Sequence, residues 1–160
     1  MSGGEKITNY EINEKTLALV PFDRNKTIVY EDNSCFILEV KPQKIMEDSC
    51  RFYGSSMEGR KKGTEALIGL SYKAPIIISE ENNIIFFPTS SPRLRDCSWI
   101  SHNNINNYYD KIDNILIEFL NRETLELPIS YNILNNQILK SSRLESSIRK
   151  RANKIKNVSK

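Results

Sequence analysis

The sequence predicts an α+β fold, a mainly antiparallel sheet built from hairpins with a basic amphipathic helix at the C-terminus. Three observations predict it. Short β-prone runs recur between residues 16 and 129, and polar two- to four-residue turns separate several of them. Helical patterning is scarce over the same stretch. After Ser130 the apolar spacing then changes from the period of a strand to that of a helix.

The first dozen residues are small and polar and read as a loose lead-in. Thr16–Val20, Thr27–Glu31 and Ser34–Val40 follow as strands, with Asp32-Asn33 as an Asx turn between the last two. Pro42–Ser49 suits a short helix or turn. Ser56–Leu70 reads as a helix through Ala66, Leu67 and Leu70, interrupted by Gly59, Gly63 and Gly69. Pro75–Ser79 and Ile84–Pro88 are very apolar and joined by Glu80-Glu81-Asn82-Asn83, a second hairpin. Pro88–Asp96 is a Pro-stiffened loop, and Cys97–His102 is a strand carrying the single Trp. Ile115–Leu120 and Thr124–Ile129 form a third hairpin, which Pro128 ends or confines to a sheet edge. At about 100° per residue, Leu134, Ile138, Leu144, Ile148, Ala152 and Ile155 share one side of the last helix. Lys140, Arg143, Lys150, Arg151 and Lys154 fall opposite. The expected organisation is a β-rich core over residues 1–130, with the basic helix 131–160 appended to the same domain.

Charge locates the partner class. The chain carries only +3, but residues 131–160 hold 8 Lys+Arg against the single Glu145, while residues 1–130 hold 15 Lys+Arg against 19 Asp+Glu. A near-neutral body with a basic tail suits a polyanion, either nucleic acid or an anionic surface. No run of about 18 apolar residues exists, so no membrane span is expected. The Met1–Lys6 lead lacks the apolar region of a secretory signal. The three cysteines are scattered and suit reduced thiols in a cytoplasm.

Chemistry concentrates in Cys50–Gly63. There Arg51, Arg60, Lys61 and Lys62 stand with Phe52, Tyr53, Ser55 and Ser56, punctuated by Gly54, Gly59 and Gly63. Glycines admit close backbone approach, hydroxyls donate to phosphate oxygens, and cations neutralise phosphate. The same residues also fit a solvated basic turn with the aromatics packed inward. Thr89-Ser90-Ser91-Pro92-Arg93-Leu94-Arg95 repeats this chemistry on a stiffened loop that could enter a narrow A/T minor groove or simply connect two strands. A cationic helix face carrying Arg143, Lys150, Arg151 and Lys154 could follow phosphates, lie in solvent, or sit opposite a self-association stripe.

Catalytic and metal readings are weak. Cys97 and His102, five positions apart on a strand, point to opposite faces about 16 Å apart, and the paired-ligand spacing of zinc sites is missing. No Walker loop, dinucleotide fingerprint or H-E-x-x-H occurs. No enzyme activity, metal or cofactor is expected.

Several uncommon strings in the same order resemble the ComK family of competence transcription factors of Gram-positive bacteria. They are Cys50-Arg51-Phe52-Tyr53-Gly54-Ser55-Ser56 with Gly59-Arg60-Lys61, then Phe87-Pro88-Thr89, Cys97-Ser98-Trp99-Ile100-Ser101-His102, and Glu126-Leu127-Pro128-Ile129-Ser130-Tyr131-Asn132. The resemblance covers most of the chain, from about Tyr10 to the early part of the basic helix. It implies a DNA-binding activator of DNA-uptake genes, nucleoid-associated in the cytoplasm. It also implies binding to A/T-rich boxes of double-stranded DNA through the minor groove, as a homodimer or tetramer. RNA polymerase and a Clp-protease adaptor are the further candidate partners it brings. Better-known members continue into a longer tail with an adaptor-binding aromatic segment. This sequence ends at Asn157-Val158-Ser159-Lys160, which leaves control through such a tail open. The motif positions carried over as DNA contacts are Arg51, Gly54, Ser55, Ser56, Gly59, Arg60 and Lys61. Chemistry alone adds Lys62, Arg93, Arg95, Arg143, Lys150, Arg151 and Lys154. Arg60 or Arg93 entering an A-tract groove is the sharpest expectation. The principal alternative is an interaction protein whose basic helix docks an acidic partner or anionic membrane without DNA-sequence preference.

Overall fold

A computed structural model describes residues 9–158. The strands are β1 (Thr16–Phe22), β2 (Lys26–Glu31), β3 (Ser34–Leu38), β4 (Ile76–Ser79), β5 (Ile84–Pro88), β6 (Trp99–Ser101), β7 (Ile105–Asp110), β8 (Ile115–Phe119) and β9 (Thr124–Leu127). The helices are α1 (Pro42–Phe52), α2 (Met57–Ile68) and α3 (Tyr131–Val158), and a 3-10 turn spans His102–Asn104. One sheet runs β3-β2-β1-β6-β5-β4 and a second runs β7-β8-β9, with every pairing antiparallel. The α+β class and all three expected hairpins are present.

Period-2 alternation assigns the faces of the six-stranded sheet. Leu19, Val29, Ile76, Ile78, Phe86 and Trp99 join Ile45, Met46 and Cys50 of α1 and Met57 of α2 in one core. Ala18, Phe87 and Ile100, on the other face, join Ile115, Ile117 and Phe119 of β8 and Leu134 of α3. A third, smaller core closes the β4 side, where Ile77 and Ile85 meet Ile68 of α2 and Leu144 of α3. The sheet is therefore covered on both faces, which is why its central strands read as near-continuous apolar runs.

Several sequence expectations are corrected. Tyr10 and Ile12 are anchored rather than loose. The Tyr10 hydroxyl donates to Glu31 Oε1 at 2.6 Å, and the buried Ile12 donates its N–H to Ser49 Oγ at 2.9 Å. Burial, reinforced by the Glu31 hydrogen bond, holds the Tyr10 phenol far above its ordinary range. The rest of the expected lead-in, residues 1–8, lies outside the described residues. The helix expected over Pro42–Ser49 runs on to Phe52, because Ile45, Met46, Ser49 and Cys50 make one buried face that continues past Ser49. The strand expected over Cys97–His102 shortens to Trp99–Ser101, since His102 turns into the 3-10 segment. No strand was expected at Ile105–Asp110. Asn106, Asn107 and Asp110 break up its pattern, most of it is exposed, and it pairs on one side only, with β8.

Gln137 fixes α3 to the body. Its buried Nε2 donates to the carbonyls of Pro88 at 2.7 Å and Lys73 at 2.9 Å. Gln137→Ala leaves both carbonyls without that donor and is expected to cost about 1–3 kcal/mol. Urea unfolding followed by circular dichroism checks this, and an unchanged midpoint would mean that apolar contacts alone dock the helix.

Candidate nucleic-acid interface

The corner between α1 and α2 is built by two helix caps in direct succession. Tyr53 ends α1, Gly54 follows at φ 86°, and two hydrogen bonds close the turn. Gly54 N–H donates to Arg51 O at 3.0 Å and Ser55 N–H to Cys50 O at 2.9 Å, the paired bonds of a Schellman ending. A left-handed residue is needed there, and glycine adopts that conformation without a Cβ clash. Ser56 is extended and caps α2, its Oγ accepting from Gly59 N–H at 3.0 Å. Gly59 lies so close that a Cβ there would sit 3.1 Å from the hydroxyl oxygens of both Ser55 and Ser56. Gly54, Ser56 and Gly59 thus shape the corner.

The cations around the corner have different fates. Arg51, Lys61 and Lys62 project into solvent. Arg51 lies 3.7 Å from Asp48, which also holds Lys44 at 2.9 Å, and Lys62 lies 3.4 Å from Glu58. These exposed pairs are weak and leave the cations available to a polyanion. Arg60 turns inward instead. It is half-buried, its guanidinium reaches Ile78 O at 3.5 Å, and its buried Nε has no partner among the described residues. This arrangement departs from the sequence picture of Arg60 as a groove-entering finger. Of the two aromatics, Tyr53 packs on the core and donates to Ile12 O at 2.9 Å, while Phe52 is 62% exposed.

The β5–β6 loop is tied down at its base. Ser98 N–H donates to Thr89 Oγ1 at 3.0 Å, and Leu94 N–H donates to Ser91 O at 2.9 Å. Arg93, Leu94 and Arg95 are left exposed at the tip. Arg93 and Arg95 line a cleft of about 240 Å³ together with Arg24 and Lys26 of the β1–β2 hairpin and Lys41 at the start of α1. Sequence reading missed Arg24, Lys26 and Lys41 because each lies in a stretch with no other signal. A count of cations at the turns flanking the Pro-rich loop could have raised them.

The remaining predicted contacts lie on α3. Arg143, Lys150, Arg151 and Lys154 are exposed, and residues 149–157 are all exposed beyond the docked part of the helix. The expected apolar stripe docks through Leu134 and Leu144, fully buried, and Ile138 and Ile148, partly buried. Ala152 and Ile155 extend past the body, Ile155 at 61% exposure. Lys140 leaves the solvated face and donates to Tyr72 O at 3.2 Å. Partial burial, with Lys73 nearby, lowers its ammonium below the usual range. Because α1 and the main contacts of α3 lie on opposite faces of the large sheet, the predicted residues fall into three groups. These are the corner, the cleft and the end of α3.

Burial shifts the thiols and the histidine toward their uncharged forms. Burial pushes the Cys50 thiol up to about 11 and raises Cys97, while burial lowers the His102 imidazole against the opposing pull of Glu145. No group of three or more His, Cys, Asp or Glu side chains suited to a metal occurs among the described residues.

Comparison with known proteins places this geometry in context. The family model described as ComK protein matches residues 7–153. The competence transcription factor of Bacillus subtilis (strain 168) is 36% identical over 149 residues, covering 91% of this chain and 78% of the relative. No solved structure matches.

Two stability outcomes separate shape from contact at the corner. Gly54→Ala forces a Cβ into the left-handed region and should cost about 1 kcal/mol or more. Gly63→Ala, inside α2 with open space at the new methyl, should instead stabilise by roughly 0.5–1 kcal/mol. Thermal melts of the two variants moving in the same direction would refute this account. The native protein should also expose one accessible thiol, Cys35, reacting slowly because partial burial and nearby Glu123 raise its pKa, with Cys50 and Cys97 reacting only in denaturant. A thiol titration with and without urea reads this directly.

Proposed function

The chain belongs to the ComK family, and from that membership we propose that it is a transcriptional activator of competence genes that binds A/T-rich boxes in double-stranded DNA. The observation that carries this reading is the α1–α2 corner. A glycine turn and a serine cap bring the C-terminal end of α1 against the N-terminal end of α2, with Arg51, Lys61 and Lys62 exposed around it. Helix N-termini and cations both favour phosphate, so the corner supplies backbone contacts that set position on the duplex. Ser55 and the backbone at Gly54 and Gly59 approach closest, Ser56 orients α2, and Arg60 braces the corner from inside.

Sequence preference needs a second element, because phosphates carry no base information. We assign it to the Arg93–Arg95 tip, whose side chains are exposed on a tied loop. A·T and T·A look nearly alike in the minor groove, so preference there rests on groove width and the enhanced negative potential of A-tracts. Arg143, Lys150, Arg151 and Lys154 on α3 add sequence-independent attraction. The protein acts in the cytoplasm on chromosomal DNA, as a homodimer or tetramer on paired boxes. RNA polymerase and a Clp adaptor are its proposed protein contacts. No helix among the described residues is long and apolar enough to cross a membrane. The family is one of transcription factors, and the protein is read as a regulator and not an enzyme.

The exposed end of α3 favours a second reading, a protein whose basic helix docks an acidic partner or an anionic membrane. Fluorescence-anisotropy titration of an A/T-box duplex and a G/C-substituted control across a salt series separates the two. Selective, salt-sensitive binding supports the regulator, whereas equal weak binding to both leaves only the α3 charge at work. On the first reading, Arg93→Ala lowers the A/T preference several-fold. Lys150→Ala weakens both duplexes alike and reduces the salt slope by about one. An unchanged A/T preference in Arg93→Ala would remove that residue from the readout.

A further inference from the structure

We propose that the cleft at the N-terminal end of α1 is a phosphate-binding site, separate from the α1–α2 corner. Three chain segments distant in sequence converge on it. The β1–β2 hairpin brings Arg24 and Lys26, the start of α1 brings Lys41, and the β5–β6 loop brings Arg93 and Arg95. Asp23 is the one carboxylate in its lining, and its Oδ1 already accepts from Arg24 N–H at 2.9 Å. Five cations against one carboxylate in a single concavity repel one another, and a bound anion relieves that repulsion.

The walls suit a fixed anion. Pro21, Pro42 and Pro92 stiffen the three converging segments at the cleft itself. Lys41 and Pro42 begin α1, whose aligned peptide dipoles add positive potential at this end. Gln43 also lines the cleft, and its buried Oε1 has no hydrogen-bond partner among the described residues. Such a group is normally satisfied, and a ligand hydroxyl or a water carried by the anion would satisfy it. At about 240 Å³ the cleft holds a phosphate group with its hydration, not a large organic ligand.

Position along α1 identifies the source of the phosphate. The eleven residues of α1 separate cleft and corner by about 16 Å, and exposed Lys44 and Arg51 lie between and beside them. One duplex lying along α1 would place backbone phosphates at both ends of the helix. The DNA origin of the phosphate rests on the proposed function, but the cleft's affinity for phosphate does not.

The test pairs Arg24→Gln/Lys41→Gln, two exposed positions outside the corner, with the charge-matched control Lys15→Gln/Lys111→Gln. Duplex affinity is measured across a salt series, and thermal melts are recorded with and without inorganic pyrophosphate. The expected result is a salt slope smaller by about one for the cleft variant alone, equally on A/T and G/C duplexes. An unchanged slope, with pyrophosphate raising the melting temperature of the wild type but not of the cleft variant, would still uphold the site. Its ligand would then be a free phosphorylated compound. If wild type binds neither duplex, the regulator reading fails and the pyrophosphate shift alone decides the cleft. If cleft and control variants behave alike in both measurements, the proposal is overturned.

Discussion

The pairing of β1 with β6 is the constraint on which the rest depends. Two residue pairs, Ala18 with Ile100 and Leu19 with Trp99, join strands some 80 positions apart. They weld the β1-β2-β3 meander to β6-β5-β4, and only the combined sheet is wide enough to need cover on both faces. Leu19 and Trp99 face the α1 core, and Ala18 and Ile100 face the core made with β8 and α3. Neither half of the sheet could position both layers alone.

This arrangement decides where the cations stand. Helix α1 lies across the welded strands, so its two ends are fixed relative to the β1–β2 hairpin and the β5–β6 loop. The corner at its C-terminal end and the cleft at its N-terminal end follow from that placement. Helix α3 is held elsewhere, by Gln137 reaching two carbonyls and by Leu134 and Leu144 entering cores away from α1. The corner and the exposed basic end of α3 thus belong to different parts of one body.

Several site residues turn out to serve two levels at once. Gly54 ends a helix and exposes backbone, and Ser56 caps a helix while standing beside the exposed cations. Folding by itself therefore accounts for their presence in a recognisable string. Arg60 shows the same ambiguity more sharply. In the string Gly59-Arg60-Lys61 it is indistinguishable from its neighbour, yet the helical rotation of 100° per residue turns it to Ile78 and leaves Lys61 in solvent.

By itself the sequence determined the class of fold, the hairpins, the long terminal helix and the charge asymmetry. Those rest on local periodicity, turn chemistry and composition, which neighbouring residues carry among themselves. It also determined the family, through strings long enough to be specific. Strand β7 was not legible because Asn106, Asn107 and Asp110 interrupt any apolar run, although Ile105 and Tyr108 pack on the core beside β8. The length of α1 depended on Ile45, Met46, Ser49 and Cys50 finding a sheet to pack on. Tertiary structure alone decided that Arg60 points inward and that Lys140 bonds to Tyr72. It also decided that Arg24, Lys26 and Lys41 share a cleft with Arg93 and Arg95. Each of these depends on which distant segments become neighbours, and pairing between strands far apart in the chain leaves no trace in local sequence.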